Sequence, residues 1–143
     1  MGRGDILLYF IYLPVRDPNI LSPIQIMKGM FLLKMELDLK NFYEFKPYLY
    51  GPCSFEIYRD LNMLLKDGLI ASIPSISGWR YYRITSLGIE KCEDMSIDNR
   101  IVDKMIEIKN KIMSMSFIEL LKYVYNLYPE YAKKSIINVW VLE

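Results

Sequence analysis

The clearest hydrophobic pattern in the chain lies near its middle. Apolar side chains at Ile57, Leu61 and Leu64 recur at spacings of four and three, with polar residues between them. This period predicts an amphipathic helix that buries one face. Ser54 precedes the segment and is expected to cap its first turn, and Gly68 follows it as a left-handed exit. The pattern therefore predicts a short helix with a defined start and a defined end.

Two segments rich in β-forming residues follow this helix. Leu69–Ile73 and Trp79–Ile84 are joined by the turn-forming segment Pro74–Gly78, which predicts a hairpin. Thr85 then caps another helix, with Gly88 in its first turn. A helix, a hairpin and a capped helix in this order are typical of a winged helix-turn-helix, which presents one helix and one hairpin to a nucleic acid. We therefore expect an α+β fold, mostly α, with a wing sheet of two or three strands and a C-terminal helical extension.

The region before this unit predicts two further helices. Ile6–Val15 is an uncharged run that is too short to span a bilayer, and we expect it to be a buried first helix. Ser22 opens a second helix that runs to about Leu37, with Lys28 on its exposed side. Gly29 in the interior of that helix indicates that a neighbouring backbone packs close to it.

The connection between the second and third helices is longer than the roughly three or four residues of an ordinary helix-turn-helix. It is rich in aromatic residues and contains Pro47 and Pro52. Within it, Tyr48–Tyr50 is a candidate third strand that pairs beside the wing. The sequence therefore leaves the angle between the two helices open.

A regular apolar stripe continues into the C-terminal part of the chain. It predicts two helices, the second opened by a capping box at Ser116 and Glu119. Two interpretations remain open: the stripe packs on its own domain, or it forms a seam with a second copy of the chain. We favour the seam and predict a homodimer, with a winged-helix domain at residues 1–96 and a helical extension at 97–143. The predicted seam consists of Ile101, Met105, Ile108, Ile112 and Met115.

The residue composition excludes several classes of chemistry. The chain of 143 residues has no histidine, which removes histidine-based nucleophile pairs and most zinc or iron sites. Cys53 and Cys92 are far apart, so the sequence indicates no metal clamp. It also contains no evident acid–base pair and no glycine-rich phosphate loop. We expect no enzymatic activity, no cofactor, no metal and no membrane span, and, without a secretory signal, a cytoplasmic location.

The net charge of +1 favours no particular partner. Basic and acidic residues are also balanced along the chain, whereas a strong DNA binder more often carries a basic face. This balance is the main argument against a DNA-binding function, and it leaves a second hypothesis open. In that hypothesis the chain is a protein-interaction module, such as an antitoxin or an adaptor, that binds through the aromatic segments Phe42–Tyr50 and Trp79–Tyr81.

A family resemblance is carried by the turn before the third helix. The motif reads Tyr50-Gly51-Pro52-Cys53-Ser54, followed by Ile57-Tyr58 and Leu65-x-x-Gly68-Leu69-Ile70. It resembles the aromatic-Gly-Pro-x-Ser turn of the YwgA-like winged-helix proteins and of the wider SocA-like antitoxin (Panacea) domains. The ending Tyr82-Arg83-Ile84-Thr85-x-x-Gly88 is similar to that of many winged helices, including the PadR-like repressors. The resemblance covers about residues 20–90, departs from the family at Cys53 and in the C-terminal helices, and implies a winged-helix fold with a regulatory or partner-binding role.

In the DNA-binding hypothesis, the third helix enters the major groove and the hairpin reaches the backbone or the minor groove. Arg59 and Asn62 suit bidentate contacts with guanine and adenine edges, and Lys66 suits a phosphate. Glu56 and Asp60 on the same helix would repel phosphate. We predict a dimeric transcriptional regulator that binds double-stranded DNA. Its predicted DNA-binding residues are Ser54, Tyr58, Arg59, Asn62, Lys66, Arg80, Tyr81 and Arg83.

Overall fold

The computed structural model describes residues 2–138, where helices predominate and two small antiparallel sheets complete an α+β architecture. The predicted α+β class is therefore confirmed. The helices are α1 (Arg3–Tyr12), α2 (Pro23–Leu37), α3 (Phe55–Lys66), α4 (Ser86–Glu93), α5 (Asn99–Met113) and α6 (Phe117–Leu127). The strands are β1 (Lys46–Tyr48), β2 (Gly51–Cys53), β3 (Ile70–Pro74) and β4 (Arg80–Ile84). A 3₁₀ turn covers Pro129–Ala132 after α6.

The hydrophobic core is built around α2, whose residues from Ile26 to Leu33 are all buried. The first helix adds a buried stripe that includes Leu7 and Phe10. Both helices were predicted to be buried, and the structure confirms this. No helix within residues 2–138 combines the length and the apolar character that a membrane crossing requires.

The apolar stripe of α5 packs against α2 of the same chain. Its residues Met105, Ile108 and Ile112 are buried in the same hydrophobic cluster as α1 and α2. The prediction that these three form a seam with a second copy is therefore wrong, because their side chains are already buried within their own chain. Ile101 and Met115, toward the two ends of the stripe, are partly exposed. The core is continuous across the predicted boundary at residue 96, and residues 139–143 of the predicted extension lie outside the described range.

Gly29 of α2 faces Phe10 of α1. A Cβ atom at residue 29 would lie 2.5 Å from Cζ of the Phe10 ring and 3.4 Å from Cδ1 of Ile112. The glycine therefore makes room for a fully buried aromatic ring. The sequence correctly indicated a close neighbour, but this neighbour is a side chain rather than a backbone.

The two sheets are separate hairpins. In the larger one, Ile70–Pro74 pairs antiparallel with Arg80–Ile84, and Leu21 adds an isolated bridge to Tyr82. In the smaller one, β1 pairs with β2 through a turn at residues 49 and 50. The predicted third strand at Tyr48–Tyr50 is therefore wrong, because this segment turns back on its own hairpin. Leu21, in the segment before α2, lies beside the wing instead, through its bridge to β4.

Several predicted helix ends are confirmed. Ser22 and Ser116 each form a capping box with the residue three positions later. The hydroxyl of Thr85 accepts a bond from the Gly88 amide at 3.1 Å. Gly68 has a φ of 74°, the left-handed conformation expected after α3. These ends depend on contacts within a few residues, which is why the sequence locates them well.

Two lysines are buried among the helices. Lys28 is only 2% exposed, which contradicts its predicted place on the exposed side of α2, and its Nζ donates to the Pro52 carbonyl at 3.4 Å. Lys109 of α5 is fully buried and donates to the carbonyls of Ile11 at 3.0 Å and Leu13 at 2.6 Å. The last carbonyls of a helix have no partner within it, so Lys109 caps the end of α1.

Candidate nucleic-acid interface

The third helix has one buried face and one solvent face. Ile57, Leu61 and Leu64 are buried at the helical spacing that the sequence indicated. Since residues three and four apart share a side of a helix, the opposite side is left to water. The structure places all four predicted DNA-binding residues of α3 there, and each is exposed. These residues are Tyr58, Arg59, Asn62 and Lys66.

Three of these residues form a line along the helix, which we call the α3 crest. Arg59, Asn62 and Lys66 are separated by three and four residues, so their side chains project from the same side. Within residues 2–138, no carboxylate lies within ion-pair distance of Arg59 or Lys66. The crest therefore presents two cations and one amide to solvent.

The acidic side chains of α3 lie on one flank of the helix, where Arg3 of α1 pairs with them. Arg3 Nη1 is 2.8 Å from Glu56 Oε2, and Arg3 Nε is 3.6 Å from Asp60 Oδ2. The Tyr43 hydroxyl donates to Asp60 at 2.6 Å. The backbone amide of Glu44 donates a hydrogen bond to the Glu56 carboxylate, and this bond lowers the pKa of Glu56. The Arg3 guanidinium lowers it further. By pairing with these two carboxylates, Arg3 reduces the repulsion of phosphate that the sequence predicts for them. Arg3 belongs to another helix, so the spacing of residues within α3 could not indicate this pairing.

Ser54 does not belong to this surface. The residue is only 1% exposed. Its hydroxyl makes no capping hydrogen bond to α3 and no other hydrogen bond within the described residues. Its backbone amide donates to Sδ of Met27 at 3.2 Å. Its predicted roles as helix cap and phosphate ligand are therefore wrong. The β1–β2 hairpin ends at the buried Cys53, so Ser54, which follows it directly, also lies in the core and away from solvent.

The β3–β4 hairpin exposes two of its three predicted DNA-binding residues. Arg80 and Arg83 are exposed, and Nε of Arg80 donates to Oγ of Ser72 on the neighbouring strand. Tyr81 is half-buried and lines a cleft beside α6, so less of its side chain is open to solvent than in the two arginines. Ile76 at the tip of the hairpin is fully exposed.

An apolar patch borders the α3 crest. The rings of Tyr48 and Phe55 meet edge to face at 5.3 Å, and Lys46 Nζ lies 4.9 Å from the centre of the Phe55 ring. The predicted aromatic surface between residues 42 and 50 is only partly present, because Phe42 and Tyr43 are buried. The apolar patch consists of Tyr48, Leu49, Phe55 and Tyr58, which are all exposed.

Within residues 2–138, no group of three or more Cys, Asp or Glu side chains is arranged to hold a metal ion. A scan against protein-family models found no match to the chain. A search of curated proteins found no match either. A functional assignment therefore depends on the geometry of the α3 crest, the β3–β4 hairpin and the apolar patch.

Proposed function

We propose that the chain is a winged-helix regulator that binds double-stranded DNA through the α3 crest and the β3–β4 hairpin. The order of its elements supports this proposal. Three helices precede the β3–β4 hairpin, and the segment between the first two makes a single bridge to β4 through Leu21. A winged helix-turn-helix has this order. The resemblance of residues 50–54 to YwgA-like and SocA-like proteins supports the same fold.

The observation that carries the proposal is the distribution of charge on α3. The crest presents cations and an amide, while Glu56 and Asp60 lie on a flank and are paired with Arg3. A helix in the major groove needs donors for base edges and cations for phosphates. The near-neutral charge of the whole chain therefore does not describe the local charge of this face.

Each proposed contact follows from the chemistry of the side chain. Arg59 is suited to the paired acceptors of guanine, Asn62 to the donor and acceptor of adenine, and Lys66 to a phosphate. The arginines of the hairpin are suited to the DNA backbone or the minor groove. The proposed site consists of Tyr58, Arg59, Asn62, Lys66, Arg80 and Arg83, without Ser54 and Tyr81.

The test begins with selection of bound fragments from a genomic library, followed by fluorescence anisotropy at several salt concentrations. Asn62→Ala is expected to relax the preference at one base pair, at a cost of about 1–3 kcal/mol. Lys66→Ala is expected to weaken binding to every sequence and to reduce the salt slope by about 1. Arg100→Ala removes an exposed charge at the start of α5 and should change neither property. Failure to bind any fragment at low salt contradicts the proposal.

The apolar patch favours a second candidate function, a protein-interaction module. Contiguous exposed apolar surface marks interaction sites, and Tyr, Phe and Met are enriched at their centres. Phe55 is 47% exposed, and Leu87 on α4, outside the patch, is 53% exposed. In affinity capture from native cells, this function predicts a partner that is lost with Phe55→Glu and kept with Leu87→Glu. Capture of DNA without a protein partner counts against it.

A further inference from the structure

A cleft of about 510 Å³ opens between the β3–β4 hairpin and the first turns of α2 and α6. It is separate from the α3 crest, and none of the residues proposed to contact DNA lines it. Clefts of roughly 300–1,000 Å³ are the usual size of small-molecule sites. The apolar lining consists mainly of Ile24, Tyr50, Trp79, Tyr81, Phe117 and Leu120.

Three aromatic rings from distant parts of the chain meet in this cleft. The ring centre of Tyr50 lies 5.9 Å from that of Trp79 and 5.6 Å from that of Phe117. The centres of Trp79 and Phe117 are 6.2 Å apart. All three side chains remain partly open to water, and Phe117 is 37% exposed. A planar ring that entered the cleft would bury this apolar surface and meet the existing rings at favourable distances.

The polar groups of the cleft are neutral. Among the described residues that line it, none carries a charged side chain. A charged ligand would therefore lose its hydration without gaining a counter-ion. The side-chain oxygen of Gln25 accepts a bond from the Ser22 amide at 2.8 Å. This capping bond does not use the two hydrogens of the Gln25 side-chain nitrogen, which can donate to a ligand.

We propose that this cleft binds a neutral, planar aromatic small molecule that carries one hydrogen-bond acceptor for Gln25. The volume of the cleft suits a small molecule, the three rings favour a planar aromatic ligand, and the described lining, which carries no charge, favours a neutral one. This inference concerns a second site and does not depend on whether the α3 crest binds DNA.

The test uses four probes of similar size in an NMR titration of the full chain. Quinoline is planar and neutral and has an acceptor nitrogen, naphthalene lacks the acceptor, N-methylquinolinium is charged, and decalin is not aromatic. Quinoline is expected to shift the backbone amides of Trp79, Tyr81 and Phe117. Naphthalene is expected to bind about two- to tenfold more weakly, which is the usual net effect of one hydrogen bond. The charged and aliphatic probes are expected to leave these amides unchanged.

Variants then test whether the cleft residues are responsible. Gln25→Glu keeps an acceptor for the capping box but removes the donor, and it should abolish the preference for quinoline over naphthalene. Phe117→Ala should weaken quinoline binding about tenfold or more. Ile76→Ala removes a fully exposed apolar side chain at the hairpin tip, outside the cleft, and should have no effect. A one-dimensional proton spectrum of each variant confirms that it is folded.

Several outcomes would overturn the proposal. These are equal binding of decalin and quinoline, shifts confined to residues outside the cleft, or no shift up to the solubility limit of the probes.

Discussion

Leu21 and Tyr82 exchange two backbone hydrogen bonds. The Leu21 amide donates to the Tyr82 carbonyl at 3.0 Å, and the Tyr82 amide donates to the Leu21 carbonyl at 2.8 Å. The bridge joins β4 to the connection that leads into α2. A free strand edge offers unpaired amides and carbonyls, so this contact covers the outer edge of the hairpin at its middle. It also fixes the hairpin relative to α2.

This bridge predicts a specific pattern of amide hydrogen exchange along β4. The Tyr82 amide points away from β3 and bonds to Leu21, so we expect it to exchange slowly. The Arg80 amide is two residues earlier in β4, so it points toward the same outer edge of the hairpin. It lies beyond the bridge to Leu21, so we expect it to exchange quickly. NMR exchange rates under native conditions compare the two amides directly. Equal protection of both would show that the bridge does not hold in solution.

The contact between Gly29 and Phe10 predicts opposite effects for two glycine substitutions in helices. Gly29→Ala gains helix propensity but drives a Cβ into the buried ring, so we expect a net loss of about 1–3 kcal/mol in the free energy of unfolding. Gly4→Ala, in α1, meets no atom closer than 4.0 Å and should be neutral or stabilising by up to about 1 kcal/mol. Urea denaturation measures both. Similar losses for the two variants would contradict the close contact.

Burial of Lys28 predicts a pH-dependent stability. Burial lowers its pKa from 10.5 to about 7, against a smaller opposing effect of Cys53. Between these values the unfolded chain binds more protons at this group than the folded chain, so its effect is to make the protein more stable as the pH rises from 7. Burial lowers the pKa of Lys109 to about 7 as well, so this residue acts in the same direction.

The experiment compares Lys28→Met with Lys40→Met between about pH 7 and 8, below the ordinary pKa of thiols (about 8.5) and of phenols (about 10). In the wild-type chain, each of the two buried lysines is expected to add up to about 1 kcal/mol of unfolding free energy per pH unit. Lys28→Met should reduce this slope. Lys40→Met, which replaces an exposed side chain, should leave it unchanged. An unchanged slope in Lys28→Met would mean that Lys28 does not titrate in this range.

Two serines at helix starts predict different costs of substitution. Ser116 accepts a bond from the Glu119 amide at 3.2 Å, so Ser116→Ala should destabilise the chain by about 1 kcal/mol. The buried Ser54 hydroxyl has no partner among the described residues, so Ser54→Ala should be neutral or slightly stabilising. Denaturant unfolding of the two variants compares these costs. A larger loss for Ser54→Ala than for Ser116→Ala would restore Ser54 as a cap.

The α3 crest shows how far sequence reasoning extended into the site. The apolar spacing of α3 predicted which side chains face solvent, and Arg59, Asn62 and Lys66 are exposed as expected. The same reasoning failed at Ser54, whose hydroxyl is turned into the core although a serine before a helix is usually a cap. The position of Ser54 depends on the β1–β2 hairpin, which was not predicted as a unit.

The sequence by itself determined where the helices and the main hairpin lie, because caps, turns and periodicity act within a few residues. Ser22, Thr85 and Ser116 are examples. Only the tertiary structure decided which of these elements meet. It paired Arg3 with Glu56 and packed the stripe of α5 on α2 rather than on a second copy. Contacts between residues far apart in the chain depend on how whole helices dock, and residue spacing within one helix does not encode that docking.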